Sequence, residues 1–168
     1  LILSENSKVM WERVADRAMS SPKDLKMLFV FFKSTDIRLV QRATQSLSKI
    51  HDRDKIFLKP YFSDLIRGLG KPQIDAYKRN VLRIFQVAEI PKADEGFLFD
   101  KAFGYLESKT EAIAIKAFAM TVCRKIAERH SDLVPEIIDT IEHILVEETA
   151  TGLLNRGKHE VIKLKKLL

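Results

Sequence analysis

Few side chains in this chain of 168 residues have the type and spacing for covalent chemistry. Cys123, the single cysteine, falls among Met120, Val122 and Ile126. A nucleophilic thiol needs an exposed, electropositive setting with a base in reach, so Cys123 is expected to pack as a small hydrophobe. The four histidines, His51, His130, His143 and His159, form no i, i+4 pair and no His-Glu-x-x-His, and no metal centre is expected. His51 and His130 are expected at helix ends, where a partly charged imidazole suits the macrodipole. Asp94-Glu95 and Glu147-Glu148 are adjacent carboxylates. Neighbours on a helix point about 100° apart, which makes no acid/base pair, and a solvated surface is the expected setting of both. Gly68-Leu69-Gly70-Lys71-Pro72 lacks the remaining residues of a phosphate loop. The inventory predicts no catalytic residue, no cofactor and no small-molecule substrate.

The lysines and arginines do carry a pattern. Segments 36–51, 74–88, 112–127 and 153–168 together hold 14 Lys/Arg against three acidic residues, a net +11 in a chain whose net charge is +6. Arg42, Arg79 and Arg156 occupy one position when these segments are aligned. Lys49, Lys125 and Lys163 occupy another, seven residues on and nearly eclipsed on a helical wheel. Arg83, Lys116 and Arg124 fall nearby. These nine residues are the candidate binding site, a basic stripe suited to an acidic protein or another polyanion. Solvated flanks, or pairing with acids of neighbouring helices, would leave the same pattern in the sequence.

The elements that must position such a stripe are helices. Apolar residues recur at helical spacing over Ser4–Met19, Pro22–Lys33, Ile37–Ile50, Ile74–Val87, Gly96–Ser108, Ser131–Glu147 and Leu153–Leu168. A further helix starts at Lys59-Pro60-Tyr61 and is broken by Gly68, Gly70 and Pro72. Pro22 suits a first helical position, Thr35-Asp36 offers an N-cap, and Ile90-Pro91 ends a helix. Thr110–Ala127 is apolar almost all the way round, which predicts a helix covered on several sides. Ser108-Lys109-Thr110-Glu111 spells a capping box that would open it. No strand-like alternation of useful length occurs.

The helices repeat. Leu39, Ala76, Ile115 and Leu153 align with spacings of 37, 39 and 38 residues. The fifth place is then small (Ala43, Asn80, Ala119, Gly157), the ninth is Leu47, Ile84, Cys123 and Val161, and the twelfth is Ile50, Val87, Ile126 and Leu164. The preceding helices give the same period independently through Leu28, Leu65, Ala102 and Ile141. A period near 38 residues means stacked hairpins, each too small to bury both apolar faces alone. The predicted fold is all-α, a right-handed α-α superhelix of about four hairpins, over residues 22–51, 60–88, 97–127 and 132–168. A leading helix, 4–19, caps the stack, and the whole forms one domain.

The chain resembles HEAT and armadillo-type repeats. The carrier is an apolar-basic-x-x-small motif followed by two further apolar positions, best spelled by Ile115-Lys116-Ala117-Phe118-Ala119. From Met10 onward, and most specifically over Lys116-Ala117-Phe118-Ala119-Met120-Thr121, it is similar to a group of small bacterial HEAT-like proteins, some of which carry the label adenylosuccinate lyase. That lyase's signature loop has Ser-Ser followed by Met-Pro, Lys and Asn. Here Ser20-Ser21-Pro22-Lys23 lacks the Met and the Asn and is better explained as a helix start. Stacked repeats of this kind imply a non-enzymatic binding scaffold, and the basic stripe, expected along the concave face of the second helices, points to an acidic protein or other polyanionic partner. A nucleic-acid binder related to HEAT-like alkylpurine DNA glycosylases is the alternative. Those enzymes use concave-face aromatics and a carboxylate, and Trp11, Tyr77, Phe85 and Phe118 supply no matching set.

The bulk numbers agree with a folded repeat protein. Composition is 46% apolar and 31% charged, with few Gly and Pro. No apolar run approaches the roughly 20 residues of a membrane span. Leu1-Ile2-Leu3 is too short for a secretory signal core. A lone cysteine fits a reducing compartment, and a cytoplasmic location is expected.

Overall fold

The structure, a computed structural model, describes residues 1–168, and all of its regular elements are helical. In chain order they are α1 (Lys8–Ser20), α2 (Pro22–Phe32), α3 (Ile37–Arg53), α4 (Phe62–Arg67), α5 (Asp75–Phe85), α6 (Glu95–Glu107), α7 (Ile113–Ala127), α8 (Val134–Glu147) and α9 (Thr151–Leu164). Short 3-10 turns lead into α4, α6 and α8 at Lys59–Tyr61, Lys92–Asp94 and Ser131–Leu133, and another, Gly68–Gly70, follows α4. No helix is long and apolar enough to cross a membrane.

Local chemistry sets the boundaries. The Ser7 hydroxyl accepts the Met10 N–H, so α1 starts at Lys8 and not at Ser4. Ser21 accepts the Asp24 N–H and Pro22 fills the first position of α2, which is the helix start that Ser20-Ser21-Pro22 spells. Asp36 accepts the Arg38 N–H and opens α3. Its carboxyl is held below the usual range first by the side-chain hydrogen bond from Arg38 and then by that backbone N–H. The capping box at Ser108 does not form. Ser108 is still closing α6, its N–H bonded to the Gly104 carbonyl, and α7 begins only at Ile113 with Ala112 as its cap. A box needs helical residues directly behind the serine. Val87 also departs from the repeat pattern: α5 ends at Phe85, so this twelfth-place residue lies beyond the helix and is 58% exposed.

The chain divides into two compact units, Leu1–Ile84 and Phe85–Leu168. In the first, α1 packs against α2 and α3, and α2 against α3. Leu28, Phe32, Ala43, Leu47, Ile50, Leu65 and Leu82 form its core. Two ring stacks bind the later elements to α2: Phe29 on Tyr61 with centroids 4.3 Å apart, and Phe32 on Tyr77 at 4.6 Å. In the second unit α7 packs against α6, α8 and α9, which accounts for its nearly all-round apolar surface. Ile115, Ala119, Met120, Val122, Cys123 and Ile126 are all buried there.

The fifth place of the repeat explains itself by close approach. Ala43, Ala119, Asn80 and Gly157 are all buried. A Cβ on Gly157 would lie 2.8 Å from Leu145 Cδ2, so α9 rests close against α8 and a larger residue there would push the Leu145 side chain aside. Asn80 turns its amide back onto the Ala76 carbonyl at 2.7 Å and so satisfies itself within its own helix.

Candidate functional site

The nine residues of the predicted stripe divide between the units. Four lie in the first. Arg42 Nη1 donates to the Ile2 carbonyl at 3.0 Å. Arg83 forks Nη2 onto both oxygens of Asp52, at 3.0 and 2.9 Å, and also meets the Ser48 hydroxyl. Lys49 stands 3.7 Å from the same carboxylate. Asp52 thus gathers two stripe residues and ties α5 to α3. Arg79, on α5, is half-buried and makes no hydrogen bond or ion pair.

The other five lie in the second unit, where a carboxylate from α9 organises most of them. Glu160 is 2% exposed. Its Oε1 accepts the Thr121 hydroxyl at 2.9 Å and its Oε2 accepts Arg124 Nε. Arg156 Nη1 donates to the Thr121 oxygen at 2.9 Å, and Lys163 Nζ stands 3.8 Å from Glu160. Arg124 also reaches Glu128 on its own helix. The outcome is a satisfied polar relay, Arg156 to Thr121 to Glu160 to Arg124, between α7 and α9. Lys125 donates to the carbonyls of Phe85 at 2.9 Å and Ala88 at 2.6 Å. Burial, followed by the charge of Arg124, pushes its pKa down to about 8. Lys116 forms no hydrogen bond or ion pair, though its charge reaches Glu148. The carboxyl of Glu148 is held below its usual range chiefly by the N–H groups of Thr149 and Ala150.

The stripe is therefore extensively engaged by the protein itself. The signal was present in the helical register: Glu160 follows Arg156 by four residues and precedes Lys163 by three, and Asp52 follows Lys49 by three, which puts each acid on the face of its bases. Asp94-Glu95 also differs from the solvated surface expected of it, since both are buried. Glu95 receives Arg129 at 2.6 Å and His130 at 2.8 Å. Burial opposes its charge, but those two partners outweigh burial and keep its carboxyl below the ordinary range. Glu147 is exposed, as expected, and Glu148 is half-buried. Cys123 is fully buried, and burial pushes its thiol pKa far up. No cluster of three or more His, Cys, Asp or Glu is placed to hold a metal ion.

Charge also differs between the units. Residues 1–84 hold 17 Lys/Arg against nine acids, a net +8, while residues 85–168 hold 12 against 14, a net −2. The first unit also contains a cleft of about 580 Å³. It lies between the α2–α3 turn and the link from α4 to α5. Lys33, Arg67 and Lys71 stand around it with Asp64, and Ile37, Pro72 and Ile74 supply apolar wall. In the sequence, only the Gly68–Pro72 break pointed to this place.

Helical hairpins that pack against one another within each unit define a helical-repeat protein. The HEAT repeat domain family matches residues 3–163, and the chain belongs to that family. No curated protein and no solved structure matches the chain. HEAT repeats commonly bind proteins and generally serve as non-enzymatic scaffolds.

Proposed function

We propose that this protein is a non-enzymatic scaffold that holds an acidic protein partner through the basic surface of its hairpins. The observation that carries the reading is the net +8 of residues 1–84 against −2 for the rest, within a HEAT repeat chain. Such a field steers an anionic partner and fixes its orientation more than it adds affinity. On this reading Arg79 and Lys116 are the stripe residues ready to meet carboxylates directly. Arg42, Lys49, Arg83, Arg124, Lys125, Arg156 and Lys163 hold the second helices in register and contribute charge at longer range. Polyglutamate and single-stranded DNA of matched charge, titrated against the purified chain at several salt concentrations, test it. Polyglutamate binding that weakens on combined Arg79→Glu and Lys116→Glu substitution is the expected result. Tighter DNA binding with a steep salt slope would replace this reading with nucleic-acid recognition, and no binding to either polymer would overturn it.

A further inference from the structure

We propose that the cleft in the first unit is a docking groove for an extended acidic peptide segment with one aliphatic side chain at its centre. The inference rests on the acidic-partner reading above and gives it a place and a chemistry.

Three observations carry it. The rim carries three cations, Lys33, Arg67 and Lys71, and one acid, Asp64, whose carboxylate is taken by Lys33 at 2.8 Å; Arg67 has interactions of its own. Lys71 is exposed and makes no ion pair, so its ammonium is available to a carboxylate. The accessible wall is aliphatic. Ile37 stands at the first position of α3 with 61% of its surface exposed, and Ile74, also on the wall, is half-buried. The third observation is the floor, where Phe32 and Tyr77 stack on each other and are 2% and 1% exposed.

That floor selects among anionic partners. Recognition of single-stranded nucleic acid relies on aromatic faces on which bases stack. Here both ring systems are consumed by each other and by the core, leaving branched aliphatic surface, which suits a leucine or isoleucine and not a base. The volume of about 580 Å³ exceeds one side chain and accommodates it with its flanking backbone. The shape is fixed in advance. Gly68 lets the 3-10 turn close over Tyr77, because a Cβ there would lie 1.5 Å from Tyr77 Oη. Gln73 Nε2 donates to the Gly68 carbonyl at 2.9 Å and pins the link that forms the far wall. A groove that need not reorganise saves the ordering penalty that weakens short-peptide binding.

The test is fluorescence polarisation with a labelled Glu-Glu-Leu-Glu-Glu peptide, a second peptide with Ser in place of Leu, and an oligothymidylate of equal charge. Lys71→Glu and Ile37→Ser alter exposed positions, and circular dichroism checks that each variant folds. Each is expected to weaken the leucine peptide about tenfold, equivalent to about 1.4 kcal/mol. Lys23→Glu changes the net charge as Lys71→Glu does, but at an exposed site on α2 outside the cleft, and is expected to weaken it less than about twofold. The serine peptide and the oligonucleotide are expected to bind more weakly than the leucine peptide. If Lys23→Glu weakens binding as much as Lys71→Glu, or if Ile37→Ser and the serine peptide make no difference, the cleft is overturned while the acidic-partner reading stands. If the wild-type chain binds neither peptide, both fall.

Discussion

Gly68→Ala isolates one physical effect with an unambiguous sign. Gly68 has φ −60° and ψ −23°, angles that alanine adopts freely. Backbone preference alone would make the change favourable by about 0.4–1 kcal/mol, through lost freedom in the unfolded chain. The opposing term is steric. The new methyl would lie 1.5 Å from Tyr77 Oη and 2.6 Å from its Cζ, and Tyr77 is 1% exposed and stacked on Phe32, with no room to swing aside. Overpacking of this kind costs about 1–3 kcal/mol. If the ring shifts, the Tyr77 hydroxyl also gives up the Leu65 carbonyl, 3.3 Å away, for about 1 kcal/mol more. The net expectation is a loss of about 2–3 kcal/mol, read as a lower urea midpoint and a melting temperature reduced by about 4–12 °C. Gly104→Ala on α6 is the control. No heavy atom lies within 4 Å of its Cβ position, so it is expected to stabilise by about 0.5–1 kcal/mol. Adding Tyr77→Phe removes the nearer contact but leaves Cζ, so rescue should be partial. A Gly68→Ala protein as stable as wild type would refute the reasoning, since it would mean that Tyr77 does not sit under the turn.

Three further expectations follow from the second unit. Glu160→Ala takes the buried acceptor from Arg124 and Thr121 and leaves Arg124 only Glu128, and should cost about 1–3 kcal/mol in urea unfolding. Replacing Arg124 and Glu160 together by Met should recover most of that loss, and an equal loss in the pair would show that the relay is not what holds α7 to α9. The folded pKa of Lys125, about 8, lies below its ordinary 10.5. Between those values the unfolded chain binds the proton that the folded chain has released, so this group's stabilising contribution grows as pH rises from 8 to 10.5 and is lost as pH falls through 8. Comparing wild type with Lys125→Met by chemical denaturation across that window should show the rise only in wild type. Cys123, fully buried with a raised pKa, should resist iodoacetamide in the native protein and react on unfolding. Rapid native labelling would contradict its place in the core.

The basic residues show where sequence reasoning stops. Periodicity locates Arg42, Lys49, Arg124 and Arg156 on second helices because the helical repeat and the hairpin period are properties of local pattern. It does not say which acid each will meet. Asp52 takes Arg83 from 31 residues away, and Glu160 takes Arg124 from 36. Those partners are one repeat apart, a separation at which the sequence offers several acids and only packing chooses. The cleft was hidden for the same reason: Lys33 and Lys71 are neighbours only because α2 and the α4–α5 link come together.

By itself the sequence determined an all-helical chain of hairpins near 38 residues, the small fifth place where helices approach, and the unreactive setting of Cys123. These follow from apolar spacing and residue size, which act within one or two turns. Tertiary structure alone decided that Asp94 and Glu95 are buried, that Glu160 of α9 meets Arg124 of α7, and that an aliphatic, basic-rimmed groove opens beside Gly68. Charge pairing and cavity shape depend on which surfaces meet in space, and the chain encodes that only through the sum of its packing.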